Sequence, residues 1–191
     1  MGFAVAERLA SLGAKVILVT GPVSLQCSNK NIIRIDVVSA TEMYTQCLNY
    51  FGECNGAIMV AAVADFTPVV VDNQKIKRTS AKLLIELRPN PDIAATLGKI
   101  KRNDQVLVGF ALETNDEEQN ALAKLQKKNL DFIVLNSLND WGSGFQYDTN
   151  RIKILDKRGT IFNYDLKQKT GVAVDIVNKL IETENSISGI S

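Results

Sequence analysis

The chain of 191 residues contains no histidine, and this absence removes several kinds of active site. Ser-His-Asp and Cys-His catalysis and a histidine general base all require an imidazole. The three cysteines, Cys27, Cys47 and Cys54, show no CxxC spacing, which excludes the common zinc patterns and makes a disulfide framework unexpected. An enzyme with this sequence would rely on carboxylates, lysines, backbone amides and a bound Mg²⁺.

The sequence also has no excess of one charge and no long apolar run. A net charge of +1 gives no global field that would attract nucleic acid or a membrane surface. There is no run of 18 apolar residues and no signal-peptide pattern. We therefore expect a cytoplasmic protein that binds neither nucleic acid nor membrane, and any anion site must be a local cluster.

Apolar segments of strand length alternate with segments of helical periodicity, which predicts a three-layer α/β, Rossmann-like fold with a mostly parallel sheet. The run Gly56–Ala62 is typical of a buried parallel strand. A hairpin around Lys157-Arg158-Gly159 and a helix over residues 171–181 close the pattern, and the polar tail 182–191 is expected to fray. Further strands are predicted at residues 15–20, 32–37, 82–87, 105–111 and 131–135. Ser39 and Glu42 predict a capping box at the start of a helix.

The first predicted helix begins at residue 1, followed by a stop at Gly13. In this architecture such a helix normally follows a strand and a glycine-rich turn. We therefore expect a first strand that is missing from the sequence, and we assign residues 1–181 to one domain that is incomplete at its N-terminal end.

Asp65 follows the predicted strand Gly56–Ala62, on the side of the sheet where this architecture binds ligands. A turn residue is an equally good interpretation. Ten residues later comes the cationic run Lys75-Ile76-Lys77-Arg78, which predicts either a solvated face, an edge strand protected by charge, or a flap loop that grips phosphate.

Two helix starts have the chemistry of an anion site. In "NPDIAA", Pro91 is predicted in the first turn with Asn90 as the cap, so free N–H groups face outward, although every helix has such an end. The next helix, for which Thr114 and Glu117 are predicted to form the cap, carries Lys124 and Lys128 on one face. Neither lysine has an acid three or four residues away within the helix, so a bound polyanion would offset their repulsion, although solvated lysines are common.

Phe110 ends the strand "VLVGF", and its ring is expected either to pack in the core or to form a surface on which a base stacks. Each of these signals is weak alone. Because they all follow strands or open helices, together they predict a pocket for a nucleoside triphosphate in which Lys75 is brought onto the phosphates.

With "AAVADF", "KIKR", "NPDI", "GFALET" and the paired lysines in this order, the chain resembles the phosphopantothenate–cysteine ligase family. This family is the synthetase half of the bifunctional coenzyme A biosynthesis protein of most bacteria. The resemblance covers Met1 to about Leu180, and "MGFAVAE" and "VTGPVSL" also match it.

The resemblance implies ligation of 4′-phosphopantothenate to cysteine through an acyl-cytidylate, with CTP and Mg²⁺ as co-substrate and metal. It also implies a cytoplasmic homodimer and a flavin-dependent decarboxylase half in a full-length protein. By motif, Asp65 would hold the sugar or base side of the nucleotide, and Lys75 would grip phosphate as the catalytic residue. The other nucleotide-binding residues that the resemblance implies are Met59, Val60 and Ala61 near the base, Pro91, Asp92, Ile93 and Ala94 at the triphosphate, and Phe110, Lys124 and Lys128.

Two departures from the family pattern leave alternatives open. Arg78 stands where a lysine often ends the flap motif, and the family's upstream loop with its asparagine lies before residue 1. The alternatives are an ATP-using ligase and a domain that binds nucleotide without completing catalysis. A nicotinamide-dependent oxidoreductase is disfavoured, because the sequence has no GxGxxG and no tyrosine followed four residues later by lysine.

Overall fold

The computed structural model describes residues 1–72, 74–75, 83–113, 116–137 and 148–189. In these ranges helices and strands alternate along most of the chain. In chain order the elements are α1 Gly2–Ser11, β1 Val16–Thr20, β2 Ile32–Asp36, α2 Ala40–Phe51, β3 Gly56–Met59, β4 Phe66–Pro68, β5 Leu87–Pro89, α3 Ile93–Ile100, β6 Val106–Glu113, α4 Glu117–Lys127, β7 Phe132–Ser137, β8 Thr149–Asn150, β9 Ile152–Asp156, β10 Ile161–Asn163, β11 Lys167–Gln168 and α5 Lys169–Ser188.

The central sheet has the strand order β10-β9-β7-β6-β3. Strands β3, β6 and β7 are parallel, whereas β9 and β10 form an antiparallel hairpin at one edge. Strands β1 and β2 pair in parallel with each other. The predicted α/β class with a mostly parallel sheet of helix-connected strands and a C-terminal hairpin is therefore confirmed.

Two hydrophobic clusters on the two faces of the sheet create the three layers. Alternate residues of β6 and β7 pack on opposite sides: Leu107 and Ile133 lie with the apolar faces of α2, α3 and α4, while Val108 and Val134 lie with α1 and α5. All four side chains are at most 1% exposed. Strands covered on both faces need apolar residues at every position, which explains the continuous apolar runs.

Several local predictions are confirmed. Ser39 caps α2 by accepting a hydrogen bond from the Glu42 N–H at 3.1 Å, and the Glu42 carboxylate accepts from the Val38 N–H at 2.8 Å. This arrangement resembles a capping box, except that the Glu42 carboxylate accepts from the N–H of the residue before the cap instead of from the N–H of Ser39 itself. In the β9–β10 turn, Gly159 has φ +81°, a conformation that favours glycine.

Other boundaries differ from the predictions. Strand β3 ends at Met59 rather than Ala62, so Asp65 lies after a loop and not directly after the strand. The strand predicted at residues 82–87 is β5, at Leu87–Pro89, and residues 83–86 are not strand; Lys82 lies outside the described residues. The apolar run Leu83-Leu84-Ile85 misled the prediction, because apolar composition suggested a buried strand; among the described strands β5 pairs with β4 alone, and all three of its residues are exposed.

Three helix ends also differ. Asp92, not Asn90, is the N-cap of α3, and its side chain accepts from the Ala95 N–H. Asp116 holds the N-cap position of α4, and Thr114 lies outside the described residues. Helix α5 continues to Ser188, whereas the tail from residue 182 was expected to fray; Ile181 and Ile187 on this last part of the helix are exposed.

The expected additional strand ahead of α1 stays a prediction. Among the described strands, β1 pairs with β2 and β3 pairs with β6, and no ladder joins β1 to β3. No helix in the described part of the chain is long and apolar enough to cross a membrane.

Candidate functional site

Three of the predicted site residues lie at or just after the carboxyl end of β3. Met59 and Val60 are half-buried at the end of β3, and Ala61 is exposed in the loop that follows. Helix α1 begins beside this loop: a Cβ placed on Gly2 would lie only 3.7 Å from the Val60 Cβ. The carboxyl edge is where open α/β sheets bind ligands, as the sequence predicted.

The loop carrying Asp65 is fastened to the segment that precedes α3. The Asn90 N–H donates to the Asp65 carbonyl at 2.8 Å, and the Asn90 side-chain amide donates to the Ala64 carbonyl, also at 2.8 Å. The Asp65 side chain remains exposed. The structure thus joins two motifs that are separated by 26 residues in the sequence.

Asp92 and Lys128 form an ion pair between the start of α3 and the end of α4. The Lys128 Nζ lies 3.0 Å from one Asp92 carboxylate oxygen and 3.2 Å from the other. Partial burial opposes the charged carboxylate, but the Ala95 N–H and the Lys128 ammonium hold the pKa of Asp92 below its usual value. No acid lies near Lys128 within its own helix, but the structure supplies one from outside it, because helical spacing cannot detect a partner 36 residues away.

Gly98 sets the distance between α3 and the turn after α4. A Cβ at this position would lie 1.9 Å from the Lys128 carbonyl oxygen, so only glycine permits this approach. Asn129, at φ +50°, donates its side-chain amide to the Gly98 carbonyl at 2.8 Å. The sequence analysis did not identify Gly98; a glycine inside an apolar helix was the available signal.

Three further predicted residues, Phe110, Lys124 and Lys75, can be placed in the structure. Phe110 is half-buried against the α1 and α5 side of the sheet, which agrees with core packing. Lys124 is exposed on α4, and Lys75 is exposed where the described part of its loop ends. Ile76, Lys77 and Arg78 lie outside the described residues, so the flap itself stays a prediction.

At the start of α3, Pro91 and Asp92 are exposed, Ile93 is buried and Ala94 is half-buried. Ile93 packs in the cluster under α2, α3 and α4, which anchors this helix start to the sheet. The helix N-terminus is therefore fixed in place, with one of its amides already satisfied by Asp92. A carboxylate in this position shows that the N-terminus attracts negative charge.

A cavity of about 440 Å³ lies further along the same edge, beside the ends of β7 and β10. None of the predicted site residues lines it. Its walls combine acidic, basic and apolar side chains rather than charges of one sign. The lining residues are Glu117, Leu135, Arg151, Ile152, Lys153, Asn163, Tyr164 and Asp165.

Within the described ranges, no group of three or more His, Cys, Asp or Glu side chains could hold a metal ion. The acidic side chains of the predicted site, Asp65 and Asp92, belong to separate loops. Mg²⁺ commonly binds through one or two carboxylates together with substrate phosphates. The residues present therefore fit an Mg²⁺ ion that arrives with a nucleotide better than a metal held by the protein alone.

Comparison with known proteins identifies the family. The DNA/pantothenate metabolism flavoprotein C-terminal domain family matches residues 1–183. The chain is 54% identical over 181 residues to a protein from an unknown prokaryotic organism named cysteine/cysteine sulfinic acid decarboxylase, covering 95% of this chain and 50% of that protein. It is 41% identical over 180 residues to the coenzyme A biosynthesis bifunctional protein CoaBC of Bacillus subtilis (strain 168), and the match covers 94% of this chain and 44% of that protein.

Among solved structures, the chain resembles the C-terminal domain of a coenzyme A biosynthesis bifunctional protein CoaBC. The TM-score is 0.80 at 33% sequence identity, covering 98% of this chain and 82% of that one. The chain spans about half the length of the curated relatives it matches. It belongs to the DNA/pantothenate metabolism flavoprotein C-terminal domain family, and the resemblance to the synthetase half of the bifunctional protein is confirmed.

Proposed function

We propose that this member of the family ligates 4′-phosphopantothenate to cysteine in coenzyme A biosynthesis, with CTP as the activating nucleotide. The observation that carries the proposal is the family match over residues 1–183, in which the site motifs occur in the expected order. The fastening of the Asp65 loop to Asn90, just ahead of α3, supports it.

In the proposed reaction, a carboxylate oxygen of phosphopantothenate attacks the α-phosphorus of CTP, and pyrophosphate leaves. The cysteine amine then attacks the acyl carbon, loses a proton to solvent, and CMP leaves. Little covalent chemistry falls to the protein, so its contribution is positioning and stabilisation of negative charge. Lys75 would grip the phosphates, Asp65 would hold the sugar or base, and Lys124 and Lys128 would attract the polyanion.

Mg²⁺ bound to the nucleotide would neutralise the departing pyrophosphate. Met59, Val60 and Ala61 would line the base, and Phe110 would complete the pocket from the α1 side of the sheet. The amides of residues 91–94 would face the triphosphate. The choice between CTP and ATP depends on backbone contacts to the base, and an ATP-using ligase is the alternative within this proposal.

Titration calorimetry in Mg²⁺ tests the nucleotide assignment. We expect this chain to bind CTP with a clear preference over ATP, and a preference for ATP would replace the CTP proposal. Lys75→Gln should weaken CTP binding far more than Lys77→Gln, because only Lys75 matches the gripping position. Equal effects of the two variants would refute the assignment of Lys75.

The alternative of a domain that binds nucleotide without completing catalysis has its own test. The asparagine-bearing loop that the family places upstream would be added to the chain, and ligation of phosphopantothenate to cysteine would be measured with and without it. Turnover only in the extended protein supports the ligase with the loop as a required part. A flavin-dependent decarboxylase domain in the same polypeptide and a cytoplasmic location belong to this proposal.

We also propose a homodimer formed through the arm, defined as residues 66–72 and 83–89. In the β4–β5 ladder, Phe66 pairs with Pro89 and Pro68 pairs with Leu87, which places four apolar side chains on one face. The arm continues with Val70 and Leu84, which are 80% and 94% exposed. Clusters of exposed apolar side chains often mark protein–protein interaction sites, which supports the arm as the dimer surface.

A matched pair of substitutions tests this dimer. Val70→Lys should shift the protein from dimer to monomer in sedimentation velocity, because it places a charge within the apolar arm. Val38→Lys is the control, since Val38 is 78% exposed after β2 and outside the arm. Monomeric wild-type protein at micromolar concentration, or an unchanged mass for Val70→Lys, would refute the arm as the dimer surface.

A further inference from the structure

The base of the arm is held by a very short ladder. Strands β4 and β5 have three residues each, and each contains a proline, Pro68 and Pro89. Proline has no N–H, so each strand has lost one donor. Beyond the ladder, the Val69 N–H donates to the Glu86 carbonyl at 2.9 Å. A two-stranded ribbon of this length is marginal in water and needs further attachment.

Asn90 supplies that attachment at the end of the ladder nearest the sheet. Its backbone N–H binds the Asp65 carbonyl and its side-chain amide binds the Ala64 carbonyl, each at 2.8 Å. The first bond continues the β4–β5 pairing by one position, since Phe66 pairs with Pro89. The second bond depends on the side chain, and it is the one a substitution can remove.

The same residue connects the arm to the start of α3. Asn90 precedes Pro91, which restricts its backbone to an extended conformation, and Asp92 then caps α3 and pairs with Lys128. Buried Ile93 fixes this helix start on the sheet. Asn90 therefore transfers the rigidity of α3 to the exposed loop that carries Asp65.

We propose that Asn90 is a positioning residue, which fixes the base of the arm and orients Asp65 toward the nucleotide. The role in nucleotide binding rests on the proposed function, whereas the mechanical role does not. Asn90 acts through the Ala64 and Asp65 carbonyls, so its side chain contributes order rather than a direct contact with the ligand. Its loss should affect the arm first and the nucleotide second.

Hydrogen exchange tests the mechanical role without any nucleotide. In Asn90→Ala, the amide of Val69 and the backbone amide of residue 90 should exchange roughly fivefold faster than in the wild type. This is the change expected for the loss of one ordinary hydrogen bond. Asn90→Asp, of the same shape but without the donor, should behave alike. The control is Asn129→Gly, which removes the bond to the Gly98 carbonyl without strain at φ +50° and should leave the arm amides unchanged.

Calorimetry with CTP and Mg²⁺ tests the second role. Asn90→Ala should raise the Kd for CTP about fivefold, because the binding-competent arm is less populated. An unchanged exchange rate, or faster exchange with an unchanged Kd for CTP, would overturn the proposal for Asn90. If wild-type protein binds no CTP while exchange accelerates as expected, the nucleotide function and the orienting role of Asn90 both fail, and only the fastening of the arm stands.

Discussion

Substitution of Gly98 by alanine tests whether the contact between α3 and the turn after α4 organises the candidate site. The new methyl group would lie 1.9 Å from the Lys128 carbonyl oxygen and 2.9 Å from its carbonyl carbon. Both atoms belong to the backbone and cannot rotate away as a side chain could. Restoring an ordinary contact of 3.4 Å from 1.9 Å requires a displacement of about 1.5 Å.

Two opposing terms set the size of the effect. Alanine in place of glycine inside a helix stabilises by about 0.5–1 kcal/mol. Overpacking that forces a backbone shift costs about 1–3 kcal/mol, and here the displaced group is a main-chain carbonyl, which favours the upper part of that range. We therefore expect Gly98→Ala to lower the free energy of unfolding by roughly 1–2 kcal/mol, and the melting temperature by roughly 3–8 °C.

The displacement also separates Lys128 from Asp92, whose charged atoms are now 3.0 Å apart. CTP affinity should therefore change together with stability. Gly52→Ala is the control, because Gly52 has a helical φ of −58° and nothing lies within 4 Å of its added Cβ. Thermal unfolding of Gly98→Ala and Gly52→Ala, each compared with the wild type, measures the change in stability. A Gly98→Ala protein as stable as the wild type would refute the close approach of the two backbones.

Three further substitutions test other parts of the structure. Asp131→Asn should cost about 3 kcal/mol in urea unfolding, because it leaves the Lys101 ammonium, whose pKa burial already lowers, without its carboxylate partner at 2.7 Å; a loss under 1 kcal/mol would contradict this. Asp92→Asn keeps a good N-cap but loses the ion pair with Lys128, worth less than about 1 kcal/mol at this exposed position. Because the folded-state pKa of Asp92 is lowered, the wild-type advantage exists above pH 4 and should vanish as the pH falls through that pKa; a pH-independent difference would exclude the ion pair. Gly159→Ala should cost about 1 kcal/mol in the same assay through its positive φ alone, since nothing lies within 4 Å of the added Cβ, and a neutral effect would contradict a left-handed turn.

The core of the fold was predictable because its signals are local. The apolar runs of β6 and β7 reflect burial on both faces, and the Ser39–Glu42 spacing reflects one helix end. Strands β4 and β5 could not be predicted in the same way, because neither has a buried face and their pairing joins segments about 20 residues apart. The full length of α5 was missed because its last turns carry mostly polar side chains, and Ile181 and Ile187 among them are exposed and give no buried stripe to detect.

At the start of α3, local sequence spacing did not reveal an ion pair that forms between distant segments. The sequence predicted an anion site there from free N–H groups, and an unneutralised lysine on α4, each from local spacing. The structure brings these two features together: the Asp92 carboxylate accepts a hydrogen bond from the Ala95 N–H and pairs with the Lys128 ammonium. Under the proposed function, a nucleotide phosphate at this position would meet charges that already satisfy one another. Lys128 would contribute its full attraction to the phosphate only when its pair with Asp92 opens, so binding there would be an exchange of partners rather than the filling of an empty site.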